Sequence, residues 1–332
     1  MKYRNKRLKT VSLLLIMALT LSLLAGCGRN EGVGAEENGI ADVTEMNYVE
    51  VAEEAIALAD APATKVTEYA TEASGKLEKK TSKGVIDYSN TSDGYVMVKY
   101  LKDTKKKVKA QVKGPKNTYT YNVSPTEWET FPFTDGDGEY QIILLENVSG
   151  NKYAIVVSVT ADVQLTDEFA PFLRSNQYVN YAEAPNTVKK AASLTKKVKD
   201  PLDKVEKIYN YVVKKFTYDK KKAKNVQTGY VPDLDKVLEA KKGICFDYAA
   251  TMAGMLRSQG IPCKLVIGYA GEAYHAWISV YVEGEGWVEG VVYFDGTSWQ
   301  RMDPTFASSS KQSKAIMKYI GDGKNYTSKY FY

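Results

Sequence analysis

The 332-residue sequence has one histidine, His275, and three cysteines, Cys27, Cys245 and Cys263. Cys245 stands in "KKGICFDYAATM" (Lys241 to Met252), two residues after Gly243. The surrounding stretch "LDKVLEAKKGICFDYAATMAGMLRSQGIP" carries a helical pattern. Phe246, Ala249, Ala250, Ala253 and Leu256 keep one face apolar, and Gly260 with Pro262 supplies a stop. Cys245 is therefore expected at the start of a helix. Unpaired backbone N–H groups and the dipole at such a start favour the thiolate form of a thiol. Gly243 permits a tight turn that leaves the sulfur exposed.

Downstream, "CKLVIGYA" (Cys263 to Ala270) and "YHAWISVYVE" (Tyr274 to Glu283) read as strands, with His275 near a strand end. "EGEGW" is a turn, "WVEGVVYFDG" a further strand and turn, and "SWQRMDPTF" (Ser298 to Phe306) a last short strand. Asp303 precedes a proline, which favours extended backbone and puts its carboxylate near a strand end. A cysteine, a histidine and an aspartate on a helix start and two strands are the parts of a nucleophile, a base and a group that orients the base. Helix-terminal N–H groups beside Cys245 would serve as oxyanion donors, each worth roughly 3 kcal/mol in comparable sites. Blander readings stand beside this one. In an exported protein Cys245 and Cys263 could form a disulfide. A lone histidine often has no chemical task, and Asp-Pro is an ordinary turn element. The helix-start position favours Cys245 as nucleophile, and Cys263, after Ile-Pro, reads as a small core residue.

The segments "KKGICFDYAATMAGMLRSQGIPCKLVIGY", "YHAW" and "RMDPTF", in that order, resemble the signature of the transglutaminase-like superfamily, whose core is an α/β papain-like fold. The resemblance spans about residues 201–306. It implies Cys245 as nucleophile, His275 as base and Asp303 as orienting acid. Members of the superfamily include transglutaminases, bacterial cysteine proteases, peptide N-glycanases and proteins that have lost activity, so the resemblance implies machinery more closely than substrate. Two departures are visible. The hairpin "VEGVVYFDGTSW" lengthens the connection between His275 and Asp303, and no residue upstream of Cys245 matches the side-chain oxyanion donor of some relatives. Tyr218, Tyr230 and Trp277 are candidate walls of the site.

The N-terminus addresses compartment. Lys2, Arg4, Lys6, Arg7 and Lys9 precede an apolar run, Val11 to Leu24, that is too short for a stable membrane span. The run ends in Leu24-Ala25-Gly26-Cys27, which resembles the lipobox of bacterial lipoproteins and implies cleavage before Cys27 and lipid on its thiol. An ordinary secretory signal with a chance cysteine is the alternative. These five basic residues account for the whole excess of 45 Lys+Arg over 40 Asp+Glu. The processed chain is close to neutral, and its charge offers no argument for nucleic acid.

Residues 28 to about 60 are rich in Gly, Ala and acid and read as a tether, with a short helix at Met46 to Leu58. From Thr64 to Leu165 the pattern turns to period two. The runs Gly84 to Ser89, Gly94 to Leu101, Lys107 to Gly114, Asn117 to Ser124, Gly138 to Asn147 and Lys152 to Leu165 are rich in Val, Ile, Tyr and Thr. Short strands at this spacing predict an antiparallel sandwich, with a binding or spacer role. Ala170 to Thr195 bridges to a helix begun by Asp200-Pro201, with Leu202, Val205, Ile208, Tyr209, Val212 and Phe216 on one face. Lys220 to Lys224 reads as a solvated connection.

The expected fold class is α+β: a papain-like, transglutaminase-like C-terminal domain preceded by an all-β, sandwich-like domain. The expected segments are a signal peptide at 1–26, a tether at 27–62, the β domain at 63–168 and the C-terminal domain at 169–332. The expected activity is thiol acyl transfer on amide bonds of peptides or proteins, of cysteine peptidase or transglutaminase type. A non-catalytic surface module on the same fold is the alternative. Neither metal nor organic cofactor is expected, since no Cys/His cluster has ligand spacing. The expected partners are a peptide or protein substrate and, through lipid on Cys27, the outer face of the cell membrane.

Overall fold

The computed structural model describes residues 65–283, 286–289, 292–294, 299–301 and 326–332. Cys27, the signal and tether segments, the helix expected at Met46 to Leu58, and Asp303 lie outside the described residues.

The period-two region forms eight strands: β1 (Glu78–Lys80), β2 (Gly84–Asp87), β3 (Tyr95–Tyr100), β4 (Val108–Lys113), β5 (Thr118–Asn122), β6 (Trp128–Pro132), β7 (Gly138–Ser149) and β8 (Lys152–Val163). They make two antiparallel four-stranded sheets, in orders β1-β2-β3-β6 and β5-β4-β7-β8. Alternation decides which side is buried. In β4, Val108, Ala110 and Val112 point inward while Lys109, Gln111 and Lys113 are half-exposed. In β5, Tyr119 and Tyr121 are buried between exposed Thr118, Thr120 and Asn122. The sheets meet closely at Gly84 of β2, where an added Cβ would run into the Leu144 and Val156 side chains. β1 and β6 were not anticipated. β1 is the short, fully exposed Glu-Lys-Lys. β6 ends in Pro132, whose missing N–H is tolerated because β6 lies at a sheet edge.

The C-terminal part holds five helices among the described residues: α1 (Pro185–Thr195), α2 (Pro201–Lys215), α3 (Lys220–Asn225), α4 (Leu234–Ala240) and α5 (Cys245–Ser258). α2 starts as its sequence dictates. Asp200 caps it by accepting from Leu202 N at 2.8 Å, Pro201 takes the first turn, and Lys214 and Lys215 face the negative end of its dipole. The stretch Ala170 to Thr195, expected as a bridge, contains α1. The Lys-rich connection is instead mostly helix: Asp219 caps α3 by accepting from Lys222 N at 2.9 Å.

The helix expected to start at Cys245 does start there, and the residues just before it form a separate short helix. α4 stops at Lys241, which adopts φ +46°, and α5 begins at Cys245. Between them, β10 (Lys242–Gly243) pairs in parallel with β9 (Thr217–Tyr218). α5 is also not amphipathic. Every residue from Asp247 to Ser258 is buried, with α1, α2 and α4 packed against it and a sheet on its other side. Small residues permit this crowding, and an added Cβ at Gly254 would come within 2.7 Å of Leu234.

The sheet on α5 has the order β13-β12-β11-β16, from β11 (Cys263–Ala270), β12 (Ala273–Val282), β13 (Gly286–Glu289) and β16 (Tyr326–Phe331). β14 (Val292–Phe294) and β15 (Trp299–Arg301) form a separate hairpin. All pairings in the four-stranded sheet are antiparallel. Arg257, fully buried, locks α5 to it. Its guanidinium donates to Cys263 O at 2.9 and 2.7 Å, Tyr332 O at 2.6 Å and Arg174 O at 2.8 Å. Burial lowers its pKa to about 10, which still leaves it charged at neutral pH.

An aromatic cluster joins the β region to this sheet. The Tyr332 ring lies 5.5 Å from Tyr119, 5.8 Å from Tyr121 and 4.8 Å from Tyr178, all edge-on. Each such pair contributes roughly 0.5–1.5 kcal/mol beyond its buried area.

Candidate active site

Cys245 is the first residue of α5, and Ile244 before it is extended, with φ −97° and ψ 176°. The turn that delivers the thiol depends on one acid. Asp247, fully buried, accepts from Ile244 N at 2.8 Å, from Lys222 Nζ at 2.6 Å and from Tyr230 Oη at 2.6 Å. Gly243 is required beside it, since an added Cβ would come within 2.8 Å of Asp247 Oδ2. Lys222, expected in solvent, therefore anchors the segment before α4 to the start of α5. The first-turn N–H groups of Cys245 and Phe246 have no intrahelical acceptor.

His275 lies on β12, next to the exposed β11–β12 turn, and is 7% exposed. Its partner in register is Gly268, where a side chain would collide with the Thr327 carbonyl of β16. The imidazole stacks near Trp277, centroids 6.2 Å apart, with Tyr326 at 6.4 Å. Trp277 is buried packing behind the histidine rather than a wall of the cleft.

Cys245 and His275 line one cleft of about 630 Å³. Tyr218 and Tyr230, expected as walls, line it too, together with Tyr178, Tyr274 and Phe246. Among the described residues, no Asp, Glu, Lys or Arg lines it. Burial pushes the Tyr178 phenol up to about 12, and burial plus the Asp247 carboxylate raises Tyr230 further. Tyr230 is not a free oxyanion donor, because its hydroxyl accepts from Lys222 at 2.7 Å and donates to Asp247. Gln227 is also engaged, donating to Asn225 O at 2.9 Å. The N–H groups at the α5 start are the main-chain donors beside the thiol.

Cys245 and Cys263 are both free thiols, so the disulfide reading is not realised. Cys263 is fully buried, and burial pushes its thiol up to about 12, which leaves it inert. Asp303 and Cys27 lie outside the described residues.

Sequence reasoning passed over five contributors. Asp247 is an acid three residues after the helix N-cap, the capping-box spacing, but an isoleucine at the N-cap hides the motif. Tyr330 and Tyr332 come from the C-terminal "NYTSKYFY", a run rich in β-forming residues that the sequence reading did not take as a strand. Thr118 and Thr120 reach the cleft from β5 of the other sheet system, and nothing local in the sequence signals that.

An α+β unit in which a helix start and a strand end deliver a thiol and an imidazole to one cleft has the layout of papain-like folds. Residues 188–304 match the family model "Transglutaminase-like superfamily", and the chain carries a domain of that superfamily. The chain is 24% identical over 201 residues to the uncharacterized protein YebA of Bacillus subtilis. That match covers 52% of this chain and spans only 26% of YebA. Among solved structures, a candidate cysteine protease from Cytophaga hutchinsonii is similar at 14% identity, covering 72% of this chain and 83% of that one, with TM-score 0.37. The periplasmic domain of TgpA from Pseudomonas aeruginosa is similar at 16% identity, covering 73% and 80%, with TM-score 0.33.

Proposed function

We propose that the protein is a thiol acyl-transfer enzyme acting on amide bonds of peptides or proteins, with Cys245 as nucleophile, His275 as base and Asp303 as the acid that orients the imidazole. The observation that carries this reading is the shared cleft: a free thiol at a helix start and the chain's one histidine line the same tyrosine-rich cavity.

In this reading His275 takes the Cys245 proton, and the thiolate adds to the amide carbonyl carbon. The carbonyl oxygen gains the negative charge and is received by the Cys245 and Phe246 N–H groups. Collapse breaks the C–N bond, and the imidazolium returns its proton to the departing amine, leaving a thioester on Cys245. Water then releases the acid, or a lysine amine forms a new amide. Either acceptor loses a proton to His275, and the thiol is restored. A cleft whose described walls carry no charge suits a neutral amide, such as a backbone peptide bond or a glutamine side chain, better than an ionised group.

The proposal extends to the whole chain: a signal at 1–26, lipid on Cys27, a tether at 27–62, a β domain at 63–168 and the acyl-transfer domain at 169–332, held on the outer face of the cell membrane. A peptide-substrate screen that scores both released ammonia and new isopeptide bonds tests the activity. Cys245→Ala is expected to keep the wild-type melting temperature and lose all turnover. A fully active Cys245→Ala protein refutes the assignment. Incorporation of labelled palmitate that disappears in Cys27→Ser tests the anchor.

A further inference from the structure

β5 ends its sheet. In the order β5-β4-β7-β8 no strand among the described residues pairs with its outer side. Two bonds fix the phase of the β4–β5 ladder: Gly114 N donates to Asn117 O at 2.8 Å, and Val123 N donates to Val108 O at 3.0 Å. Inward- and outward-bonding residues alternate in an antiparallel pair. Tyr119 and Tyr121, opposite Val112 and Ala110, therefore bond to β4, and Thr118, Thr120 and Asn122 turn their N–H and C=O outward. The outward carbonyl of Asn122 is taken, since Gln177 Nε2 donates to it at 2.6 Å. Among the described residues, no main-chain hydrogen bond reaches the outward groups of Thr118 or Thr120.

Open edges are normally blunted by charge, proline, a bulge or a covering segment. β5 reads Thr-Tyr-Thr-Tyr-Asn, a strong β former without charge, proline or bulge; its register with β4 is unbroken, and Gln177 and Gly229 lie against its Asn122 end only. The open stretch also has a location. Thr118 and Thr120, both exposed, line the cleft that holds Cys245 and His275.

We infer that this edge receives a polypeptide by strand addition: an extended, uncharged segment hydrogen-bonds to the N–H and C=O groups of Thr118 and Thr120 and is thereby laid along the cleft toward Cys245. Main-chain bonds hold it, and alternate side chains enter the cleft. The paired stretch is short, about 7 Å from Thr118 to Thr120 at strand spacing. It therefore positions a peptide of almost any neutral sequence without selecting one strongly. The β region becomes part of the substrate site rather than a spacer. That the bound segment is the substrate rests on the acyl-transfer reading above; strand addition itself does not.

The test uses the full chain carrying Cys245→Ser, which prevents turnover, and a fluorescent, end-capped peptide of Val, Thr, Gln and Tyr. Hydrogen exchange is expected to slow at the Thr118 and Thr120 amides when the peptide binds. N-methylation of single peptide amides is expected to weaken binding about tenfold at alternate positions and leave the others unchanged, the loss of one hydrogen bond in a period of two. Thr120→Pro removes an outward N–H that β4 does not use, so it is expected to preserve the melting temperature and weaken binding to the same degree. No binding, protection elsewhere, or indifference to N-methylation at every position overturns the inference, and the N-methyl series decides even if the proline variant misfolds. Iodoacetamide labelling of Cys245 in otherwise wild-type protein separates the two claims. An inert thiol with a protected edge removes the acyl-transfer reading and leaves strand addition, and a reactive thiol with an unprotected edge does the reverse.

Discussion

Asp247→Asn is a sharp probe of how the fold presents Cys245. The substitution keeps shape and removes a charge that is fully buried and accepts three hydrogen bonds. An asparagine oxygen can keep Ile244 N and Lys222 Nζ, which share Oδ2, but its NH2 then faces the Tyr230 hydroxyl and that bond is lost. A hydrogen bond to a charged group contributes about 1.5–3 kcal/mol. Weakening the Lys222 pair adds little, because that side chain is 27% exposed and can turn to water. The expected loss is therefore about 2–3 kcal/mol, or a fall in Tm of about 5–10 °C at the 2–4 °C per kcal/mol usual for domains of this size. Calorimetry reads the stability, and iodoacetamide labelling of Cys245 reads the helix start, which should label more slowly. A cycle with Lys222→Met should show coupling of roughly 1 kcal/mol between the two positions. Unchanged Tm and an unchanged labelling rate would refute the claim that this carboxylate positions the thiol.

Two further outcomes test the frame. Gly243→Ala places a methyl group against the Asp247 carboxylate, so it should lower stability by about 1–3 kcal/mol in a denaturant titration and slow Cys245 labelling as Asp247→Asn does. In the β region, hydrogen bonds from Lys106, Lys83 and Tyr100 lower the Glu146 pKa from its ordinary 4.5 to about 2. A carboxylate depressed on folding stabilises above its ordinary pKa and loses that contribution as pH falls through the folded value. Wild-type Tm should therefore drop between pH 4.5 and 2, and Glu146→Gln should flatten that part of the profile.

Elements whose burial alternates or turns with regular period were legible in the sequence. β4 shows Val-x-Ala-x-Val, and α2 has Asp200-Pro201 at its start and a single apolar face. α5 was legible at its N-terminus but not in its surroundings. It is buried on all sides, so its periodicity marked one face where there are several. Lys222 was hidden in a run of lysines, where composition says solvent and only the fold brings a buried carboxylate within 2.6 Å. The parts of the site on single elements, Cys245 at a helix start and His275 near a strand end, could be read locally. Thr118, Thr120 and Tyr178 could not, because they reach the cleft through the packing of separate elements.

The central claim is that His275 activates the Cys245 thiol. The most direct measurement is the rate of iodoacetamide labelling at neutral pH, resolved by residue in a mass spectrum, for wild type and His275→Ala. The account predicts selective labelling of Cys245, with Cys263 untouched until the protein is denatured, and a rate reduced at least about tenfold in His275→Ala. Equal rates with and without the imidazole, or labelling of Cys245 no faster than that of a free cysteine peptide, would contradict it.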